Sequence, residues 1–300
     1  MKQVKNVAVS VRAKLLAISR KDNRDFNALM LQYFQERFLY RLSISSYKKH
    51  FALKGALLFH IYQMPASRPT TDIDFLGMNT ANSEESITRI FKDILTIDCN
   101  DGVSFDVSSL TSESIKETDK YKGVRLFCVA YLGVAKRRIH FDIGFGDIIV
   151  PEPVTLEYPV ILENQPVPEI IAYTPESAIA EKFEAVVSLG FFTSRMKDFY
   201  DIYYMAGNYS FTSDTLKRAI NVTFNNRSTN LADHRLIFSE EFAHDVNKIK
   251  QWTAFINRLN ISTEITYKDC INYLERFISP ILDDNVEHLT WNPQLYKWVK

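Results

Sequence analysis

Phe51-Ala52-Leu53-Lys54-Gly55-Ala56-Leu57-Leu58-Phe59-His60 and, shortly after it, Arg68-Pro69-Thr70-Thr71-Asp72-Ile73-Asp74-Phe75-Leu76-Gly77 form the stretch whose reading decides the fold. The first half reads as a short strand, a glycine turn and a helix. The second reads as a strand carrying two carboxylates. Side chains alternate along a strand, so Asp72 and Asp74 share one face while Ile73 and Phe75 turn to the other. The apolar pair enters a core, and both acids hang over one site. Carboxylates spaced in this way suit a hard divalent cation, which takes oxygen ligands together with substrate phosphates. Taken alone, a D-x-D triplet is more often two solvated acids on an edge strand. Its neighbours change that balance.

Working outward, an apolar period over Val11, Leu15, Leu16 and Ile18 predicts one helix. A second begins at Asp25, whose carboxylate suits a cap, and carries Phe26, Leu29, Phe34, Phe38 and Leu42 on an apolar face, with Gln35, Glu36, Arg37 and Arg41 on the polar side. Ser83 caps a further helix over 84–95. Strands are predicted at 103–110, 124–132 and 138–145, the last two joined as a hairpin through Gly133-Val134-Ala135-Lys136. Five prolines between Pro151 and Pro168 predict extended surface chain and a domain boundary. Thr174-Pro175-Glu176 then opens a helix that ends at Gly190. Others are expected at about 195–206, 213–224, 240–259 and 268–282. Strands mixed with helices, then helices alone, indicate an α+β chain with an α/β-type mixed sheet over residues 1–168 and a helical domain over 169–300.

Lys and Arg together number 36, as do Asp and Glu, so no global basic field announces nucleic acid. Cys99, Cys128 and Cys270 are far apart and form no metal or disulfide pattern, which suggests buried thiols in a reducing cytoplasm. The amino-terminal residues lack the long apolar run of a signal peptide, and no membrane span is expected.

A third carboxylate comes from Arg137-Arg138-Ile139-His140-Phe141-Asp142-Ile143-Gly144, where Ile139, Phe141 and Ile143 alternate with His140 and Asp142. If this strand lies beside the D-x-D strand, Asp72, Asp74 and Asp142 converge and could hold Mg²⁺. The plainer alternative pairs Asp142 with Arg137 or Arg138. Gly55 lets backbone approach a ligand, and Lys54 and Arg68 are either phosphate-binding cations or surface ones. Lys182 sits on the shoulder of the stripe formed by Ile179, Phe183, Val186 and Val187, where its ammonium reaches a cleft or simply borders the core. In Arg195-Met196-Lys197-Asp198-Phe199-Tyr200-Asp201, Asp198 flanks the buried face and is placed to fix Lys182 or Arg195. Asp201 is expected on the solvated side. Trp252, Phe255 and Tyr273 either stack bases or pack the helical core.

These stretches, in this order, resemble the AbiEii/AbiGii toxin family of DNA-polymerase-β-like nucleotidyltransferases. The likeness is carried by Leu53-Lys54-Gly55-Ala56-Leu57-Leu58, Arg68-Pro69-Thr70-Thr71-Asp72-Ile73-Asp74-Phe75, Phe141-Asp142-Ile143-Gly144-Phe145-Gly146-Asp147, Pro175-Glu176-Ser177-Ala178-Ile179-Ala180-Glu181-Lys182-Phe183 and Arg195-Met196-Lys197-Asp198-Phe199-Tyr200-Asp201. It covers about two-thirds of the chain. The resemblance implies that Gly55, Asp72 and Asp74 match the glycine and metal-binding aspartates of the superfamily signature. Lys182 and Asp198 match its later catalytic lysine and aspartate. It further implies an NTP substrate with Mg²⁺, a toxin of a type IV toxin–antitoxin or abortive-infection pair with a cognate antitoxin, and tRNA 3′ ends as acceptor. The usual Gly-Gly or Gly-Ser is here Gly55-Ala56, the interval to Asp72 is longer than in the broader superfamily, and Asp147 competes with Asp142 as the third acid. Transfer to a protein or small molecule, or a fold that binds without chemistry, are the alternatives.

Overall fold

The computed structural model describes residues 6–62, 70–116, 122–259, 265–282 and 287–300. Backbone contacts divide the chain into two units, Met1–Gly146 with Val154–Ala172, and Asp147–Pro153 with Tyr173–Lys300.

The first unit contains α1 (Val7–Lys21), α2 (Phe26–Ile44), β1 (Phe51–Lys54), α3 (Gly55–Ile61), β2 (Asp72–Gly77), α4 (Glu84–Leu95), β3 (Val103–Lys116), β4 (Lys122–Leu132), β5 (Ala135–Phe145), β6 (Val154–Glu157) and β7 (Glu169–Ala172). Its seven strands form one mixed sheet in the order β3-β4-β5-β2-β1-β7-β6. The D-x-D strand β2 runs antiparallel to β1 and parallel to β5. Ile73 and Phe75 are fully buried, and Phe38 of α2 packs its ring 4.4 Å from Phe141 and 5.6 Å from Phe91. The expected caps are present: Asp25 accepts from the Ala28 amide at 2.7 Å and Ser83 from the Ser86 amide at 3.2 Å.

Three expectations about this unit need correction. The proline-rich stretch is not only surface chain, because β6 pairs antiparallel with β7 and extends the sheet. β3 is longer than predicted, since its polar half still finds hydrogen-bonding partners on β4 after a register shift. The supposed polar side of α2 is also buried: Gln35, Glu36, Arg37 and Arg41 are all enclosed. Each charge there finds partners inside. Arg41 donates to both Asp101 oxygens, at 2.7 and 3.1 Å, and to the Val103 carbonyl at 2.9 Å. Arg37 lies 2.7 Å from Glu36 and donates to the Pro166 carbonyl. Helical periodicity cannot distinguish a solvated arginine from one that meets a buried acid some sixty residues away.

The second unit contains α5 (Pro175–Leu189), α6 (Met196–Asn208), α7 (Ser213–Arg227), α8 (His234–Ile237), α9 (Glu240–Ala243), α10 (Val246–Leu259) and α11 (Tyr267–Leu282), then a hairpin of β8 (Thr290–Asn292) and β9 (Lys297–Val299). Thr174 caps α5 as expected, accepting from Ser177 at 3.3 Å. The helix expected at 240–259 is split, because Asp245 accepts from the Lys248 amide at 2.8 Å and starts a new helix. The terminal hairpin makes the unit not purely helical. It is anchored by buried Trp291, whose indole donates to the Ala206 carbonyl at 2.6 Å. Cys128 and Cys270 are buried free thiols, and no helix among the described residues is long and apolar enough to cross a membrane.

Candidate active site

In the first unit the chain leaves β1 at Lys54, takes a positive φ of 68° at Gly55 and enters α3. A β-carbon built on Gly55 would lie 2.0 Å from Asp74 Oδ2. Glycine is required here because the Asp74 carboxylate rests directly on the turn. The same packing positions Asp74 relative to the start of α3. Lys54 is the register partner of Asp74, and its ammonium extends to within 3.7 Å of the place a Gly144 β-carbon would occupy on β5.

The parallel pairing of β2 with β5 sets Asp72 opposite His140 and Asp74 opposite Asp142. The three expected carboxylates therefore occupy adjacent positions on two neighbouring strands. Asp72 stays half-exposed, with Oδ1 3.2 Å from His140 Nδ1 and 3.1 Å from the Thr71 hydroxyl. Asp142 is differently engaged. Arg125 on β4 donates Nε and Nη2 to its two oxygens, each at 2.7 Å, a bidentate pair. Those hydrogen bonds, with the charges of Asp142, Glu113 and Asp72, push the guanidinium pKa further up despite partial burial. Arg137 and Arg138, the neighbours expected in the plainer reading, are not the partners.

Among the described residues no three His, Cys, Asp or Glu side chains converge as a metal cage. The donor set nonetheless fits Mg²⁺, an ion bound through one or two carboxylates and completed by water and substrate phosphate. Asp72 and Asp74 would be those two acids, and Asp142 would join them only if Arg125 gave it up.

In the second unit Lys182 on α5 donates to Asp198 at 2.9 Å and to Asp201 at 2.7 Å, both on α6. Arg195 closes on the other Asp198 oxygen. Burial by itself would raise the Asp198 carboxyl, which is 1% exposed, but the adjacent charges of Lys182 and Arg195 overrule it and hold the group down to about 2. The pairing expected for Asp198 is present. The solvated role expected for Asp201 is overturned, as the residue is fully buried. Residues three apart on a helix share a side, so one ammonium meets both acids. Asp147, the competing third acid, is held by Arg227 through both oxygens at 3.1 Å, and the same guanidinium donates to Glu184 at 2.9 Å.

Arg68 lies outside the described residues. Arg125 and Asp201 were missed from sequence. A signal for Arg125 did exist: with the hairpin turn at Gly133-Val134, counting outward from Leu132 opposite Ala135 brings Arg125 opposite Asp142.

A family model described as nucleotidyl transferase AbiEii toxin, type IV TA system, matches residues 37–273. No curated protein matches the chain. Two solved structures are similar to it: one described as a nucleotidyltransferase from H. pylori, at 13% identity over 86% of this chain and 96% of that one with a TM-score of 0.46, and JHP933 from Helicobacter pylori, at 13% identity over 86% and 99% with a TM-score of 0.41. At those TM-scores the likeness carries no argument.

Proposed function

Because the chain belongs to the AbiEii nucleotidyltransferase toxin family of type IV toxin–antitoxin systems, we propose that it moves a nucleoside monophosphate from an NTP to an RNA 3′ hydroxyl, at the tRNA end, in the cytoplasm and under the control of a cognate antitoxin. The observation that carries the nucleotidyl-transfer part is the D-x-D strand: Asp74 rests on the turn that begins α3, against Gly55, and Asp72 precedes it by two residues on β2, facing His140. Asp72 and Asp74 would hold Mg²⁺, which when bound would supply charge neutralisation on the triphosphate.

The remaining work falls to the chain itself. The acceptor oxygen forms a bond to the α-phosphorus, the bond to the bridging oxygen breaks, pyrophosphate leaves, and the hydroxyl proton passes to a carboxylate or water. Such chemistry needs positioning and charge compensation rather than a covalent intermediate. Lys54 and Arg68 are assigned to the phosphates. Lys182 is assigned to the charge that builds on the transferring group, with Asp198 and Asp201 fixing its ammonium. Asp198 remains ionised throughout the neutral range, so the lysine keeps its partner.

The test is incubation of the purified protein with total tRNA, Mg²⁺ and each of four α-labelled NTPs, beside Asp72→Asn. Wild type should label tRNA and Asp72→Asn should lose the label by at least a hundredfold. Full activity in the variant would overturn the metal role of Asp72. Label in protein instead of RNA would move the acceptor to a side chain.

A further inference from the structure

One row of side chains crosses five strands of the sheet. Residues paired in register on neighbouring strands project from the same face. Glu113 of β3 is paired with Arg125 of β4, Arg125 with Asp142 of β5, Asp142 with Asp74 of β2, and Asp74 with Lys54 of β1. All five are charged, and their signs alternate except in the middle. There Asp142 and Asp74 stand side by side, on strands about 4.8 Å apart. Like charges placed directly opposite repel. A cation flanks the pair on each side, Lys54 beside Asp74 and Arg125 beside Asp142.

A cross-strand ion pair such as Arg125 with Asp142 ordinarily strengthens a sheet and does nothing more. Two observations set this one apart. Nε and Nη2 of Arg125 are spent on Asp142, each at 2.7 Å, while Nη1 is directed to a second acid, 3.8 Å from Glu113 Oε1. The guanidinium therefore already has an alternative partner. Arg125 is also 39% exposed and Glu113 56%, so an exchange moves no core side chain, and water weakens the bond to be given up. A divalent cation between Asp74 and Asp142 would relieve the same repulsion with twice the charge. Mg²⁺ is usually held by one or two carboxylates together with substrate phosphates, so the cation that reaches Asp142 is the one that arrives on the triphosphate.

We propose that Arg125 is a displaceable counter-ion, which withholds Asp142 from metal until a nucleotide brings its own cation, and that Glu113 then receives the guanidinium. The third carboxylate is engaged only with nucleotide in place. This rests on the metal reading of Asp72 and Asp74 above and adds the residues that control the third acid.

The experiment follows Mn²⁺ by electron paramagnetic resonance on the full chain, with and without a non-hydrolysable NTP analogue, and needs no turnover. Without nucleotide, Arg125→Gln should bind Mn²⁺ about tenfold more tightly than wild type, and adding Asp142→Asn should remove the gain. With the analogue, Asp142→Asn alone should weaken Mn²⁺ binding about tenfold, and Glu113→Gln should weaken it only when the analogue is present. Arg125→Lys, which keeps the charge but loses the two-pronged bond, should show a smaller gain and serves if Arg125→Gln does not fold. A gain that survives Asp142→Asn would be no more than a lost positive charge and would overturn the competition. Mn²⁺ bound no more tightly by either Arg125 variant would make the pair a fixed strut, leaving the metal role of Asp72 standing. Wild type that binds no Mn²⁺ would overturn the metal reading and this proposal with it.

Discussion

A carboxylate that gives both oxygens to one guanidinium has little left for a metal ion. Asp142 is in that position, whereas Asp72 keeps a half-exposed carboxylate hydrogen-bonded, among the described residues, to His140 and Thr71. The difference is measurable without turnover. Mn²⁺ binding followed by electron paramagnetic resonance should weaken more than tenfold in Asp72→Asn and change less than about threefold in Asp142→Asn. Equal losses would show that Arg125 releases Asp142 and that all three acids hold metal. Lys182 illustrates the opposite economy, one ammonium shared by two buried carboxylates. Removing the lysine would leave Asp201 without this partner in the interior, a substitution expected to cost stability as well as activity.

Among the elements, α2 carries the least expected chemistry. It buries Glu36 beside Arg37, and the loss of hydration outweighs both the arginine's charge and the Ile161 amide, so the Glu36 carboxyl is raised to about 7. A carboxyl whose folded pKa exceeds its unfolded value binds its proton more tightly when folded. The stability it contributes is complete below about 4.5 and is lost as pH rises through about 7. The protein should therefore unfold at lower urea concentration at pH 8 than at pH 5, by on the order of 3 kcal/mol in this contribution. Glu36→Gln should flatten that difference. Equal slopes in both proteins would mean the Arg37 pair keeps Glu36 ionised. Arg41, by contrast, is satisfied by Asp101 and three backbone carbonyls and behaves as a structural rivet between α2 and the start of β3.

At the scale of the whole molecule, the acids assigned to the metal and the lysine assigned to the transferring phosphate belong to different units of the chain. If both serve one reaction, their removal is not additive. Asp72→Asn and Lys182→Met should each slow nucleotide transfer at least about a hundredfold, and the double variant should be no slower than the worse single one. Multiplying losses would show that the two residues act independently. Much of this organisation could be read directly from the chain. The β1–Gly55–α3 turn, the alternation of Ile73 and Phe75 with Asp72 and Asp74, and the start of α5 at Thr174-Pro175 are local matters, fixed by side-chain period and capping chemistry, and sequence by itself determined them. The family was legible for the same reason, because its motifs are short and local. What only the tertiary structure decided depends on partners far apart in the chain: Arg125 on Asp142, Asp201 on Lys182, Arg41 on Asp101, and Lys248 on the carbonyls beside Phe192. Whether a charged side chain is solvated or buried is set by what the fold brings opposite it, and no local period in the sequence records that.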